Sequence, residues 1–235
     1  MEKEERKAIN RRMVISRFAV MIVMVLVFLF LPAGTLEWCE GWGYAVLSTG
    51  MLVLTRIILL NKNPDTALER LQAGSAENVK QWDIPLVRLL ALYLPMLLLL
   101  TAGLDKRFGW TIGVPKFIKW TGFVVYLISA AFASWALLEN KFFSSHVRIQ
   151  TDLGHTVIST GPYNVVRHPG YAGGIISWLA TPLMFGSWPA AVIAVLIAAG
   201  LIYRTAREDR TLRDELSGYE EYVQKVRWRL FPGLW

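Results

Sequence analysis

Long apolar runs with few charged residues are the sequence feature that most constrains the fold of this chain. The first run covers residues 18–33, and three more cover residues 42–60, 84–104 and 117–138. A helix of about 20 mostly apolar residues can cross the hydrocarbon core of a bilayer. The runs therefore predict four membrane-spanning helices. We expect the first helix to be retained, because no small-residue cleavage site of a signal peptide follows it.

The composition agrees with a membrane location. Of the 235 residues, 54% are hydrophobic and 18% are charged, whereas soluble domains have roughly 45–50% and about 25%. The single cysteine, Cys39, excludes an internal disulfide and any multi-cysteine metal site, and three histidines leave little material for a metal centre. The net charge of +7 comes from cationic residues between apolar runs. We therefore expect anionic lipid headgroups, rather than nucleic acid, as the partner of these cations.

A polar stretch separates these runs from a second apolar region. Residues 139–168 are too charged to lie in lipid. Two apolar segments follow, 171–185 and 188–203, and only Gly186 and Ser187 connect them. So short a connection forces an antiparallel helical hairpin. The predicted fold class is all-α, a polytopic membrane bundle of four spans plus a C-terminal helical hairpin.

The positions of lysine and arginine predict how the bundle is oriented, because cytoplasmic loops of membrane proteins carry an excess of both. The segment before the first span has six of them: Lys3, Arg6, Lys7, Arg11, Arg12 and Arg17. If this segment is cytoplasmic, residues 61–83, 139–168 and 204–235 are cytoplasmic as well. Residues 34–41, on the opposite side, have no lysine or arginine, whereas residues 105–116 have three and are the exception. We expect a multi-pass protein with both termini in the cytoplasm.

The polar stretch ends in a pattern typical of a helix start. Pro169 suits the first position of a helix, with His168 as the residue that caps it. The first turn of such a helix presents unpaired amide groups and a partial positive charge, which favour a bound carboxylate or phosphate. A second interpretation fits the spacing as well. In it, Arg167 and His168 only lie at the membrane interface, and Tyr163 and Tyr171 are aromatic anchors at the same depth.

Two glycines near the start of the hairpin, Gly170 and Gly174, have the spacing of a GxxxG motif. In membrane helices this spacing usually marks a face on which two helix backbones approach closely. We expect these glycines to line a contact between helices.

A second polar motif follows the hairpin, in a charged segment with a helical pattern up to about Val226. Arg204 and Glu208 are four residues apart in it, so they share one face of a helix. Their position at the end of an apolar segment would let them serve a pocket half in lipid and half in water. Alternatively they form an ordinary exposed ion pair, which would stabilise the helix by only about 0.2–0.5 kcal/mol.

Four motifs surround the apolar hairpin within residues 140–235: GPYNVVRHPGY, R-x3-ED-x2-L, GY-x2-Y and RxRLFPGLW. This combination resembles the isoprenylcysteine carboxyl methyltransferase family, which is related to membrane phospholipid N-methyltransferases. The resemblance implies an integral membrane enzyme that takes a methyl group from S-adenosylmethionine in a cytoplasm-facing pocket. It also divides the chain. Residues 1–138 hold an N-terminal segment and the four spans, and residues 139–235 form the catalytic region.

The resemblance further implies roles for individual residues. Those that would bind S-adenosylmethionine are Gln150, His155, Thr156, Val157, Ile158, Tyr163, His168, Pro169, Gly170, Tyr171 and Glu208. Arg204 and Glu208 would be the catalytic residues, with Arg204 on the side of the methyl acceptor. No metal is implied. The acceptor would be lipophilic and would enter the pocket from the bilayer.

The chemistry of methyl transfer bears on which acceptor to expect. A carboxylate is already ionised at pH 7 and needs alignment rather than a base, and the planar fork of Arg204 can hold one. An amine must first lose a proton, to Glu208 or Asp209. Arg204 thus favours an anionic or neutral acceptor, and the family resemblance implies carboxyl O-methylation of an isoprenylcysteine-like substrate. N-methylation of the ethanolamine headgroup of a phospholipid is the alternative, and a non-catalytic membrane protein of the same fold is a weaker one.

Overall fold

The architecture comes from a computed structural model that describes residues 2–62 and 78–235, with side chains from Phe18 onward and that of Ser16. Most of the predicted loop 61–83 lies outside this part of the chain, as do the side chains of the basic N-terminal segment. The helices are α1 (Glu2–Ala33), α2 (Cys39–Lys62), α3 (Asp83–Phe108), α4 (Lys116–Glu139), α5 (Pro169–Phe185), α6 (Trp188–Glu215) and α7 (Tyr219–Lys225). No strand occurs among the described residues, and the all-α prediction is confirmed.

Within the described residues, four helices are long and apolar enough to cross a membrane: α2, α3, α4 and α6. Three of them coincide with predicted spans, and the apolar part of α1, residues 18–33, coincides with the fourth. Helix α6 continues without a break from the apolar segment to Glu215. The prediction of one helical segment up to Val226 is wrong in detail. The chain turns at Gly218, which has a positive φ of 81°, before the short helix α7.

A π-helical turn at Leu89–Tyr93 interrupts α3. Pro95 has no N–H group to donate to the carbonyl four residues earlier, and the N–H group of Leu94 bonds instead to Leu89, five residues back. The wider turn accompanies a close contact with α6. A Cβ atom on Gly200 would clash with the side chain of Leu90. Helix α3 is therefore packed tightly against the helix that carries Arg204.

The predicted hairpin is confirmed. Helix α5 ends at Phe185 and α6 begins at Trp188, so two residues form the whole connection. Gly186 has a φ of 67°, a conformation that glycine adopts without strain. The hydroxyl of Ser187 accepts a hydrogen bond from the N–H group of Ala190 at 3.4 Å, which caps the first turn of α6.

Close contacts between the backbones of α4 and α5 fall on glycines outside the GxxxG spacing. A Cβ atom on Gly173 would lie 2.7 Å from the backbone oxygen of Ser129, so only glycine fits there. By contrast, a Cβ atom on Gly174 would meet only Leu201, at 4.0 Å, and one on Gly170 would meet the ring of Phe143. The GxxxG prediction is therefore corrected. The backbones of α4 and α5 meet at Gly173 and also at Gly122, where a Cβ atom would lie 2.7 Å from the backbone nitrogen of Met184.

The alternating direction of the helices brings the polar segments to one end of the bundle. Helices α3 and α5 begin at this end, and α4 and α6 reach it at their C-terminal ends. The connector 140–168, which contains two short 3-10 turns, covers it. Apolar side chains of α1, α3, α5 and α6 fill the core on the other side. The fold thus brings the polar connector and the ends of four helices together at this end of the bundle.

Candidate functional site

A cavity lies at the polar end of the bundle, between α4, α5, α6 and the connector. The cavity is partly open to solvent, and the space that protein atoms leave unfilled there is about 870 Å³, open solvent included. Ten of the residues predicted for the site line it: His155, Thr156, Val157, Ile158, Tyr163, His168, Gly170, Tyr171, Arg204 and Glu208.

Two residues of the predicted set do not line this cavity. Gln150 is 2% exposed, and its side-chain amide donates to the carbonyl of Phe142 at 2.6 Å. Its backbone N–H group donates to Nδ1 of His155 at 3.3 Å, so Gln150 supports a cavity residue instead of facing the cavity. Pro169 is buried as the first residue of α5. Both residues were predicted to contact the donor directly, and in the structure both have structural positions instead.

The two arms of the hairpin meet through Tyr171 on α5 and Glu208 on α6. The tyrosine hydroxyl donates to Oε2 of Glu208 at 2.5 Å. Residues at the start of the hairpin and beyond its end therefore face one another across the same cavity. The resemblance implied that Tyr171 and Glu208 serve one donor site, and the structure brings the RHPGY motif (residues 167–171) and the ED motif (residues 208–209) together.

Arg204 is held by a residue that the sequence analysis did not select. Its Nε donates to Oδ1 of Asp83 at 2.6 Å, and its Nη2 donates to Oδ2 at 2.9 Å. The Nη2 atom also donates to the carbonyl of Ser145 at 2.9 Å. The fork that was predicted to hold an acceptor carboxylate is therefore already occupied. Within the described residues, only Nη1 of this guanidinium has no hydrogen-bond partner.

Asp83 is the first residue of α3, and its side chain is fully buried. It also accepts a hydrogen bond from the N–H group of Val147 at 2.8 Å, and Nδ1 of His146 lies 3.5 Å from its Oδ2. An acidic residue at the head of a membrane span is the signal that could have pointed to it. Its partner Arg204 lies 121 residues later, so spacing alone could not reveal the pair.

Asp209, next to Glu208, is the centre of a second buried network. Its carboxylate accepts from Nε of Arg167 at 2.8 Å, from the hydroxyl of Tyr219 at 3.1 Å and from Nε of Arg229 at 2.9 Å. Nε2 of His168 lies 3.2 Å away. The side chain is only 1% exposed. So many donors around one buried carboxylate leave it no free lone pair for a base role.

His168 caps α5, as predicted, but its ring makes no capping hydrogen bond and contacts Asp209 instead. The backbone N–H groups of Arg167 and His168 donate to the carbonyls of Trp228 and Arg229, each at 2.9 Å. The C-terminal segment is therefore tied directly to the RHPGY motif.

Burial decides between the two interpretations of this motif. Arg167 is 4% exposed, His168 is 5% exposed and Tyr163 is 7% exposed. Anchors at a membrane interface would present their side chains to headgroups and water. The interpretation of these residues as interface anchors is therefore wrong.

His155 forms an aromatic wall of the cavity. Its ring centroid lies 4.5 Å from that of Phe142. Burial, together with the nearby charge of Arg148, lowers the pKa of His155 to about 4. The imidazole is therefore neutral at pH 7 and offers a polar atom without a charge.

Tyr163 forms another wall and has partners at both ends. Its hydroxyl donates to the carbonyl of Ala136 and accepts from Nδ2 of Asn140, both at 3.3 Å. Its own carbonyl accepts from the hydroxyl of Tyr222 at 2.6 Å. Burial raises the pKa of Tyr163 well above its ordinary value, so the group remains a neutral phenol. Tyr219 and Tyr222 belong to the GY-x2-Y motif, to which the sequence analysis gave no role.

The cavity combines a carboxylate with several aromatic rings. Glu208 is half-buried and contributes the carboxylate, while Phe142, Phe143, Tyr163 and Tyr171 contribute rings. Carboxylates and aromatic faces both attract cations, and the attraction is stronger where water is partly excluded. The arrangement suits a cationic ligand that also carries polar groups.

Comparison with known proteins agrees with the predicted resemblance. Residues 120–214 match the model of the isoprenylcysteine carboxyl methyltransferase family. Two curated proteins of rice, from Oryza sativa subsp. indica and subsp. japonica, are each named "Probable protein-S-isoprenylcysteine O-methyltransferase". Each is 30% identical to this chain over 114 residues, which is 47% of this chain and 59% of the relative. The chain thus spans about three fifths of the length of these relatives.

The matched segment contains most of the site. Tyr171, Arg204 and Glu208 lie within residues 120–214, and so do the hairpin and the connector that cover the cavity. Asp83 and the C-terminal residues that bond to Asp209 lie outside it. The resemblance to the isoprenylcysteine carboxyl methyltransferase family is confirmed for the part of the chain that forms the cavity.

Proposed function

We propose, from the premise that residues 120–214 carry the isoprenylcysteine carboxyl methyltransferase pattern, that this membrane protein transfers a methyl group from S-adenosylmethionine to a lipophilic carboxylate. The favoured acceptor is an isoprenylcysteine-like thioether. The single observation that carries the proposal is the bond between Tyr171 and Glu208 at 2.5 Å. It brings both motif segments of the matched region to one cavity.

The residues around the cavity fit S-adenosylmethionine. This donor is a sulfonium cation with a carboxylate, an ammonium group and ribose hydroxyls, and it supplies an activated methyl group. The aromatic walls and the carboxylate of Glu208 suit its cationic groups and hydroxyls. Those that would hold it are His155, Thr156, Val157, Ile158, Tyr163, His168, Gly170, Tyr171 and Glu208. The opening to solvent would let a water-soluble donor enter.

The acceptor side of the proposal rests on Arg204. A carboxylate oxygen would form the new bond to the methyl carbon as the carbon–sulfur bond breaks, and the sulfur keeps that electron pair. No proton moves, so this step needs alignment and partial desolvation rather than a base. Nη1 of Arg204, which Asp83 and Ser145 leave free among the described residues, would donate to one carboxylate oxygen. The other oxygen would be left to attack.

An amine acceptor is less well supported. It would require a general base, and Asp209 is bonded to Arg167, Tyr219 and Arg229. Neither the matched family nor the rice relatives carry the name of a phospholipid N-methyltransferase. We further propose that the polar end of the bundle faces the cytoplasm and that the prenyl chain reaches the cavity from the bilayer.

The proposal is tested with the purified protein in lipid nanodiscs. Labelled S-adenosylmethionine is offered with N-acetyl-S-farnesylcysteine, with its carboxamide, or with phosphatidylethanolamine. We expect base-labile methyl ester to form only on the farnesylated carboxylate. We also expect Glu208→Gln to weaken donor binding at least tenfold in calorimetry, while Glu215→Gln, on the same helix, leaves it unchanged. Methylation of phosphatidylethanolamine alone, or no donor binding by the wild type, would refute the proposal.

A further inference from the structure

We propose that Asp83 is a positioning residue that acts through Arg204, an inference that rests on the proposed function. Asp83 lies at the head of α3, outside the segment 120–214 that matches the family. The comparisons therefore assign it no role. It would fix where the Arg204 guanidinium sits in the cavity and which of its nitrogen atoms is left for the acceptor.

The geometry of the pair favours a fixed arrangement. Two parallel hydrogen bonds, at 2.6 and 2.9 Å, join the guanidinium of Arg204 to the carboxylate of Asp83. The side chain of Asp83 is 0% exposed and that of Arg204 is 12% exposed. A bidentate pair holds both position and plane, and burial strengthens each bond relative to water. The arginine is thus ordered before any ligand arrives.

Asp83 also joins three separate parts of the fold at this point. Its Oδ2 accepts from both Arg204 and the N–H group of Val147, while Ser145 accepts from the same guanidinium. The guanidinium carbon lies 5.4 Å from the centroid of the Tyr171 ring. Helix α3, helix α6 and the connector therefore meet at one carboxylate, beside the tyrosine that bonds to Glu208.

The pairing has a consequence for Glu208. Arg204 and Glu208 lie four residues apart on one helix, a spacing at which side chains of opposite charge are near enough to form an ion pair. In the described part of the chain Arg204 instead makes its ion pair with Asp83, and Glu208 accepts from Tyr171. Asp83 thus keeps the arginine away from the carboxylate proposed to bind the donor. Without Asp83, the guanidinium would lose the two bonds that orient it, while the bond between Tyr171 and Glu208 would remain.

The test compares Asp83→Asn with the wild type in nanodiscs. Asparagine preserves the shape of the side chain but removes its charge and one acceptor. We expect the dissociation constant of S-adenosylmethionine to change less than threefold, and kcat on N-acetyl-S-farnesylcysteine to fall at least tenfold. Asp105→Asn is the matched control, because Asp105 is a buried residue of the same helix at the opposite end of the bundle, where it accepts from Thr111. It should leave kcat unchanged.

A double-mutant cycle separates positioning from a general structural effect. If Asp83 acts through Arg204, Asp83→Asn causes no further loss of kcat once Arg204→Ala is present. Equal losses in both backgrounds would overturn the inference. So would wild-type turnover by Asp83→Asn, or a loss of donor affinity as large as the loss of turnover.

Two further measurements separate a failure of the inference about Asp83 from misfolding of the variant and from a failure of the proposed function. If Asp83→Asn does not fold, the turnover of Arg204→Lys is measured instead. Lysine keeps the positive charge but cannot form the two parallel hydrogen bonds to Asp83. Wild-type turnover by that folded variant would overturn the inference.

If the wild type methylates no carboxylate, the proposed function fails. Binding of S-farnesylthioacetic acid to the Asp83→Asn protein then tests the positioning, with at least tenfold weaker binding expected and unchanged binding contradicting it.

Discussion

Tyr171 and Glu208 are 37 residues apart in the chain, yet the hydroxyl of one donates to the carboxylate of the other at 2.5 Å. The two residues lie on the antiparallel arms of a membrane hairpin. This bond closes a cavity between α5 and α6 and brings the RHPGY motif into contact with the ED motif. It is the contact on which the proposed donor site depends.

Replacing Tyr171 by phenylalanine should weaken donor binding without unfolding the protein. The ring remains, but Glu208 loses a hydrogen bond to a charged group, which is typically worth about 1.5–3 kcal/mol. We expect the dissociation constant of S-adenosylmethionine to rise by roughly tenfold or more, measured by calorimetry. Tyr203→Phe is the control, since Tyr203 is exposed on α6 and bonds only to Arg207 among the described residues. Equal effects of the two variants would contradict this prediction.

Asp209→Asn should destabilise the fold. The buried charges of Arg167 and its neighbours would lose their common acceptor, and breaking a buried ion pair on one side typically costs about 3–5 kcal/mol. Thermal unfolding in detergent should therefore occur at a markedly lower temperature. Asp214→Asn, an exposed position on the same helix, should unfold like the wild type. An Asp209→Asn protein as stable as that control would argue against the network.

Gly173→Ala and Gly174→Ala form a matched pair. The first places a methyl group 2.7 Å from the backbone oxygen of Ser129, which forces α4 and α5 apart. Such overpacking typically costs about 1–3 kcal/mol. The second meets only Leu201 at 4.0 Å and should be neutral or slightly stabilising. Unfolding temperatures of the two variants test this order, and the reverse order would show that the helix contact is placed wrongly.

The half-buried side chain of His155 should make stability depend on pH. The pKa of His155 is about 4 in the folded protein, below the ordinary value of 6.5, so the unfolded chain takes up the proton first. Stability is therefore fully present above pH 6.5 and is lost as the pH falls from 6.5 towards 4. His155→Asn should lose less stability than the wild type between pH 7 and pH 5, measured by thermal unfolding. Identical losses would exclude this role for His155.

The helices could be predicted because hydropathy is a local property. Each run of about 20 apolar residues must form its backbone hydrogen bonds internally in lipid, whatever its neighbours are. Residues 42–60 and 117–138 were therefore placed correctly from the sequence. The hairpin could be predicted from local sequence as well, because a connection of only two residues between apolar segments forces the two helices to be antiparallel.

Glycine packing shows where local patterns fail. Spacing selected Gly170 and Gly174, but the close backbone contacts of α4 and α5 fall on Gly173 and Gly122. Which face of α5 meets α4 depends on how far each helix is rotated about its axis. That rotation is set by all the side chains at the contact, so a motif of two residues cannot specify it.

The sequence by itself determined that this is a multi-pass helical membrane protein and which two motifs flank the hairpin. Only the tertiary structure decided the partners of the charged residues. Arg204 could pair with Glu208 on its own helix, and it pairs instead with Asp83 across 121 residues. Buried charges take whichever opposite charge the packed helices bring within reach. That distance depends on the whole bundle, and no segment of the chain encodes it alone.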